Sequence, residues 1–590
     1  MTDAAPRVLL IGPYDPHCGE YTFLAPPLGV WRLAGMLRSA GVEAEVFDPN
    51  CCRDSPQRSL ERTLRQRWDI IGVSTTGMTL QFDLELAFMA RRGAPSALLV
   101  AGGMEATFRP ELMFALGPFD LVVLGEGERP LLEAVARLRA GKSLAGMAGS
   151  AQRGADGTIV SVPQRALNRE ELRDAIDGIP YADMPYEAYW ERLEAAYRIG
   201  ALPSKAAREA HLAEIRSVRL ITLNYCPMNC TFCSATNFLH QAQQSVANVA
   251  RLDANECMAV IERIVAAHPR VRTIIFQDDI FVFTRDHRVL ELCDAIVAAK
   301  ERGAIPSQLQ FISTNRIDAM TEERLAAMRR AGFRVLGFGV ENFSPRVLAE
   351  FNKAQIHRHI EPMLSAALAA GITPFLDIIL TSPRAQLADL VETLRNCYRW
   401  MREGCEVGMY PYVVPFSGAA FARDPSLLPH TQYVRRHVAG TSVSWEQAAK
   451  ILPVDPLLRE LILRIERDFE KMLASLQSEA AHLPSRVRSL IWILCSIPIL
   501  AESGHFIADE DEVRAELRLR VPLVRREAAS VAMAVPAAAT LPAAATLRAA
   551  ATLRATAARP TAAALPAAAA LPTAAALPTA AALPPAAAAP

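Results

Sequence analysis

"NYCPMNCTFCSATNF", residues 224–238, puts three cysteines in one short loop, spaced C-x-x-x-C-x-x-C. The whole chain holds 11 cysteines in 590 residues, too sparse and irregular for a disulfide framework, so the triplet needs another explanation. Cys226, Cys230 and Cys233 can hold zinc, hold an iron–sulfur cluster, or simply pack. Structural zinc sites want four ligands, usually as two close pairs, and no second pair follows here. Cys257 and Cys293 stand singly in helical contexts typical of packing cysteines. Three thiolates on one loop suit a four-iron cluster with one iron left open, which can take the amino and carboxylate groups of S-adenosylmethionine.

Working outward, the loop follows a strand-like run, "SVRLITLNY", and five more come after it. They are "VRTIIFQDDIFVF", "LQFISTNRID", "RVLGFGVENFSPRVL", "ITPFLDIILTSP" and "VGMYPYVVPFSG". Helical segments such as "TEERLAAMRRAG" and "IEPMLSAALAAG" lie between them and end at glycine. Six alternating units predict an open, partial (β/α)6 barrel of the TIM type.

The N-terminal stretch alternates in the same way. "RVLLIG" reads as a buried parallel strand, and "PLGVWRLAGMLRSAG" as a helix with Val30, Leu33, Ala34 and Leu37 on one face, stopping at Gly41. "VEAEVFD", "WDIIGVST", "ALLVAGG" and "FDLVVLGEGE" supply further strands. The pattern predicts a doubly wound, Rossmann-like α/β sheet, which binds ligands beyond the carboxyl ends of its strands. There stand "GVSTTG" (72–77), "AGGMEAT" (101–107) and "GEGE" (125–128), whose glycines let a ligand approach the backbone. No G-x-G-x-x-G follows the first strand, which argues against a dinucleotide.

The cysteine triplet, with Phe232 before its last member and a strand ahead of it, resembles the radical S-adenosylmethionine superfamily over about residues 218–418. The resemblance implies a [4Fe-4S] cluster on Cys226, Cys230 and Cys233, with S-adenosylmethionine beside Phe232. It further implies that Asp278 and Asp279 receive the ammonium of S-adenosylmethionine, and that Ser313, Asn315 and Arg316 contact its ribose and carboxylate. "GVEN" adds Glu341 and Asn342 to that set. Residues 7–140 resemble the cobalamin-binding domain that precedes many such enzymes. That resemblance implies that Ser74, Thr75, Gly102, Gly103 and the turn Gly125, Glu126, Gly127, Glu128 line a slot for the nucleotide tail of cobalamin. "DPHCGE" (15–20) nearly matches the D-x-H-x-x-G that supplies a lower cobalt ligand elsewhere, but its glycine, Gly19, comes one place early. His17 is therefore read as a loop histidine.

The paired resemblances imply radical chemistry with both cofactors, most commonly methylation of an unactivated carbon in a small, natural-product or lipid-like molecule. An electron donor such as flavodoxin or ferredoxin is implied as partner. The rival is a cobalamin-dependent cyclisation or ring rearrangement, as in the anaerobic cyclase of chlorophyll synthesis. From another class, the triplet is a metal knuckle in a non-catalytic protein. Transfer-RNA methylthiotransferases share the triplet but need three further N-terminal cysteines, and Cys18, Cys51 and Cys52 are crowded wrongly for that. No catalytic acid or base is assigned; Tyr225, Phe281 and Tyr410 are read as strand aromatics, more often core than cavity.

The 63 basic and 63 acidic residues cancel, so no global field favours nucleic acid. "MTDAAPRVLLIGPYDP" has too short an apolar run for a signal peptide, and "LIWILCSIPILA" (490–501) is too short to span a bilayer, so a cytoplasmic protein is expected. "LLRELILRIERDFEKMLASL" is strongly amphipathic. From Val535 a hexad such as "LPTAAA" repeats, its prolines denying alanine a helix. Expected boundaries are 1–145 for the cobalamin-binding domain, 146–214 for a connector and 215–425 for the barrel. A helical region at 426–527 and a disordered tail at 528–590 complete the chain.

Overall fold

The computed structural model describes residues 6–16, 25–52, 54–196, 199, 205–243, 249–477 and 485–520. His17 and the alanine–proline hexads lie outside the described residues.

Strand β1 (Arg7–Ile11) is apolar because both of its faces are covered: Val8, Leu9, Leu10 and Ile11 are all buried. It pairs in parallel with β2 (Glu43–Phe47) and β3 (Ile70–Ser74), and β4 (Leu98–Gly102) and β5 (Leu121–Val123) follow in order 2-1-3-4-5. The helix Leu28–Ser39 buries Val30, Ala34 and Leu37, and the chain turns out of it at Gly41, φ +71. This is the doubly wound layout expected. An antiparallel hairpin, β6 (Ser150–Arg153) and β7 (Ile159–Val162), extends the sheet to seven strands beyond residue 145. Its signal in the sequence is the Asp156–Gly157 turn, with Gly157 at φ +83.

The second sheet is wholly parallel. Strands β8 (Ser217–Leu220), β9 (Thr273–Phe276), β10 (Gln310–Asn315), β11 (Phe333–Glu341), β12 (Thr373–Ile379) and β13 (Glu406–Tyr410) pair in chain order. Among the described residues β8 does not pair with β13, so the barrel is open. The helix Ala254–Ala267 starts on a capping box of Asp253 and Glu256, while Glu322–Ala331 and Leu387–Glu403 stop at Gly332 and Gly404, both left-handed. Phe276, Phe311 and Phe333 turn outward under the helices, with ring centroids 6.2 Å (276–311) and 5.4 Å (311–333) apart. Residues alternating with them face the lumen.

The connector stitches the two sheets together. Tyr189 donates to both carboxylate oxygens of Asp48, at 3.0 and 2.9 Å, beside the first sheet. Trp190 Nε1 donates to Ser217 O at 3.2 Å, and the Arg219 N–H donates to Tyr186 Oη at 3.1 Å, fixing β8.

The C-terminal region opens not with helix but with a ribbon, β14 (Thr431–His437) and β15 (Ser444–Ile451). Val438 and Trp445 bury in the N-terminal sheet's core, and Gln447 Nε2 donates to Gly77 O at 2.5 Å. The amphipathic helix Pro456–Gln477 then packs on Ser485–Ala501 through stacked Phe469 and Trp492, 4.4 Å apart. Ser485–Ala501 contains the apolar run expected to be buried; its Ser489 hydroxyl donates to Val407 O at 2.6 Å, so the helix covers the last barrel strand. Among the described residues no helix is long and apolar enough to cross a membrane.

Candidate functional site

The cysteine loop leaves the carboxyl end of β8. Its fold is fixed by Thr231 Oγ1 donating to Glu350 O at 2.8 Å and Asn352 Nδ2 donating to Asn229 O at 2.8 Å. Phe232 packs edge-on against Phe351 at 4.9 Å. Cys226, Cys230 and Cys233 are half-buried and form no disulfide among the described residues. Burial raises all three, Cys226 to about 12 and Cys233 to about 11, and the charge of Asp279 adds to both. Lys353 and Arg316 pull Cys230 the other way.

The strand ends gather around this loop. Asp279, after β9, is exposed to the lumen yet hemmed in by protein, and burial raises its carboxyl. Glu341 ends β11 in the left-handed region at φ +63, a strained position for a side-chain-bearing residue. Lys353 holds it there: Nζ lies 2.7 Å from Glu341 Oε1, 2.8 Å from Gly339 O and 5.8 Å from the Phe232 ring. Arg316 forms a two-point pair with Asp318 at 3.0 and 2.9 Å.

Other expected residues turn away. Asp278 is buried, its carboxylate bound by the Thr222 N–H and hydroxyl and facing Arg288; burial still lifts it to about 6. Ser313 is fully buried and Asn315 Nδ2 donates to its carbonyl and hydroxyl at 3.1 and 3.0 Å, while Thr314 between them is exposed to the lumen. Asn342 spends its amide on Ile379 O, Ser344 N–H and the Thr393 hydroxyl, at 2.8, 2.9 and 2.7 Å. Tyr225 and Phe281 are core, whereas Tyr410 is 56% exposed on the lumen side. Lys353, Thr314, Asp377 and Tyr410 were not legible as a set. The period-two alternation along β10, β12 and β13 holds the signal of Thr314, Asp377 and Tyr410, but only with the register known, and Lys353 lies on none of these strands. Burial pushes Asp377 up to about 6, with Glu341 adding and Lys353 opposing.

At the N-terminal sheet, Thr75 is a staple rather than an open hydroxyl: its N–H and Oγ1 both donate to Gly102 O, at 2.7 and 2.9 Å. Gly103 sits at φ +96, and a methyl there would lie 2.6 Å from Thr75 O. Gly102 faces open space, and Ser74 stands beside it on the paired strand. Glu128 turns inward onto Arg32 at 2.5 Å, and Glu126 accepts from the Leu167 N–H at 2.6 Å. Burial and the charge of Glu128 raise Glu126 to about 7. Gly127 backs onto Leu33.

The two regions meet. The helix Ala235–Gln243 begins two residues after Cys233, and its Ala242 Cβ closes to 2.6 Å of where Gly125, at φ +73, would carry a side chain. Gly418, after β13, rests on Phe108, and Ser417 Oγ lies 3.1 Å from Glu105 Oε1. A cavity of about 500 Å³ opens there between Arg109, His240, Ser417 and Tyr433.

The donor set fits a cluster. Three half-buried thiols on one loop can each take one corner of a cubane. The open face of Gly102 fits a flat or extended group against the backbone.

Comparison with known proteins agrees with this layout. The family model described as B12 binding domain matches residues 16–135, and that of the Radical SAM superfamily matches residues 220–397. An uncharacterized methyltransferase of Pyrococcus horikoshii is 25% identical over 377 residues, covering 63% of this chain and 72% of that one. The anaerobic magnesium-protoporphyrin IX monomethyl ester cyclase of Rubrivivax gelatinosus is 24% identical over 422 residues, covering 70% and 69%. Among solved structures, the cobalamin-dependent S-adenosylmethionine radical enzyme OxsB superposes with a TM-score of 0.60 at 16% identity, covering 88% of this chain and 76% of that one. The radical S-adenosylmethionine methyltransferase TsrM from Kitasatospora setae gives 0.56 at 17%, covering 74% and 79%. These likenesses establish a shared fold.

Proposed function

We propose that this chain, a radical SAM protein with an N-terminal B12 binding domain, methylates an unactivated carbon of a small molecule. One observation supports the reading: the loop that bears the three thiols runs directly into the helix that covers Gly125, so a single continuous segment joins the thiols to the glycine turn of the first sheet. Cys226, Cys230 and Cys233 would hold the cluster. Asp279 would take the ammonium of S-adenosylmethionine, and Glu341 with Lys353 its polar tail. Ser74 and Gly102 would border the nucleotide of cobalamin. When bound, the cluster and corrinoid supply reductive cleavage of S-adenosylmethionine and carriage of its methyl group. The chain's own residues bind and orient. Lys353, pinned between Gly339 O and Glu341, keeps the strained end of β11 in one place.

Reduced flavodoxin or ferredoxin is the proposed electron source and the cytoplasm the proposed compartment, since cysteines that form no disulfide, as among the described residues, suit reducing surroundings. The likeness to the magnesium-protoporphyrin cyclase favours a second reading, ring formation without methyl gain.

Anaerobic reconstitution with iron, sulfide and cobalamin, followed by mass analysis of products, separates these. Methylation adds one methylene, and cyclisation leaves the carbon count unchanged. The variant C226A/C230A/C233A is expected to bind no cluster and release no deoxyadenosine. One zinc bound, with no iron–sulfur absorbance in the parent protein, would leave only a non-catalytic metal module.

A further inference from the structure

We infer that the barrel lumen carries a subsite for a basic nitrogen of the substrate, built from Asp377, Phe375 and Tyr410. The inference rests on the enzymatic reading above and names the substrate class: an organic amine.

The subsite follows from strand register. Asp377 of β12 pairs with Gly408 of β13, and Ile379 pairs with Tyr410. A side chain at position 408 would stand over the lumen. An added methyl would lie 3.4 Å from Phe375 Cζ and 3.8 Å from Asp377 Oδ1, its nearest neighbours. Glycine therefore keeps open a hollow whose walls are an aromatic ring and a carboxylate. On the other flank, β11 offers Gly337, the register partner of Phe375, and then Gly339, and the space over them is taken by Thr314 Oγ1 and by the Glu341–Lys353 pair, which close that side of the hollow. Tyr410, two residues beyond Gly408, stands on the same face and stays 56% exposed.

Charge selects the occupant. Two carboxylates, Glu341 and Asp377, share this end of the lumen with one lysine, while Arg488 acts on Tyr410 from the other side. Lys353 is already committed to Glu341 Oε1 and Gly339 O. The Asp377 side chain receives no hydrogen bond and meets no cation at contact distance among the described residues. A carboxylate between aromatic faces, partly removed from water, attracts an organic ammonium by ion pairing and by the ring quadrupole together. A hard metal ion would favour several carboxylates converging, and no group of three His, Cys, Asp or Glu that could hold one occurs among the described residues.

The test uses reconstituted holoenzyme and a matched probe pair: 2-phenylethylamine and its neutral isostere 2-phenylethanol, followed by equilibrium dialysis. The amine is expected to bind about tenfold more tightly than the alcohol, the effect of one charge-assisted hydrogen bond. D377N is expected to erase that ratio, and G408V, which fills the hollow without changing a charge, to weaken the amine. Equal binding of the two probes, no amine binding, or an amine preference that survives D377N would overturn the subsite. Deoxyadenosine release is measured on the same wild-type preparation. If the amine preference holds without release, the enzymatic reading fails and the subsite stands; if release occurs without preference, the subsite alone fails.

Discussion

Thr222 grips Asp278 twice, its N–H donating at 2.6 Å and its hydroxyl at 2.5 Å, while the neighbouring Asp279 faces the lumen. Two adjacent acids thus have opposite tasks. D278A would leave the buried Thr222 N–H without its acceptor and weaken the negative field on Arg288, which keeps Asp286, and is expected to cost about 1–3 kcal/mol in chemical denaturation. D279A should change stability by only about 0.5 kcal/mol while lowering S-adenosylmethionine retention in equilibrium dialysis by at least about tenfold.

Gly102 and Gly103 make a second contrasting pair. At Gly103, alanine meets both a left-handed φ of +96 and the Thr75 carbonyl, so G103A is expected to lower stability by about 1–3 kcal/mol. At Gly102, alanine meets nothing. G102A should keep the melting temperature and lose corrinoid on reconstitution, read as bound cobalamin per chain.

Asp83 supplies a pH dependence. It is fully buried, and burial lifts it to about 8 despite hydrogen bonds from Thr79 Oγ1 at 2.7 Å and the Tyr14 N–H at 2.9 Å. An unfolded aspartate titrates near ~3.9. The native state therefore keeps a proton that the unfolded chain releases. The resulting stabilisation is complete below about pH 4 and is lost as pH rises through 8. Denaturant midpoints measured across that range should fall with pH, and D83N should flatten the slope.

Gly418 couples the barrel to the N-terminal sheet. Its φ of +86 and its contact with Phe108 leave no room for a side chain, and its carbonyl accepts from Asn237 Nδ2 at 2.6 Å. G418A is expected to cost about 1–3 kcal/mol and to shift the proteolysis pattern between the two sheets before global unfolding. An unchanged pattern would assign the coupling to the ribbon β14–β15 instead.

Local order along the chain was enough to read both sheets. The period of the apolar runs, the glycines ending helices and the spacing of Cys226, Cys230 and Cys233 depend on neighbours a few residues apart, and sequence records such neighbours directly. The ribbon was missed for a complementary reason. "EQAAK" at 446–450 has helix-forming composition, yet it lies in β15, whose Trp445, with Val438 from the connecting turn, buries in the distant N-terminal core. The facing of each site residue was likewise settled at a distance. Successive strand residues point to opposite sides, so which of Asp278 or Asp279, and which of Ser313 or Thr314, meets the lumen depends on register with strands dozens of residues away. Composition and spacing determined that a thiol-lined barrel would follow a doubly wound sheet. Only the tertiary packing decided which polar groups are spent holding that barrel together and which, like Asp377, are left to meet a ligand.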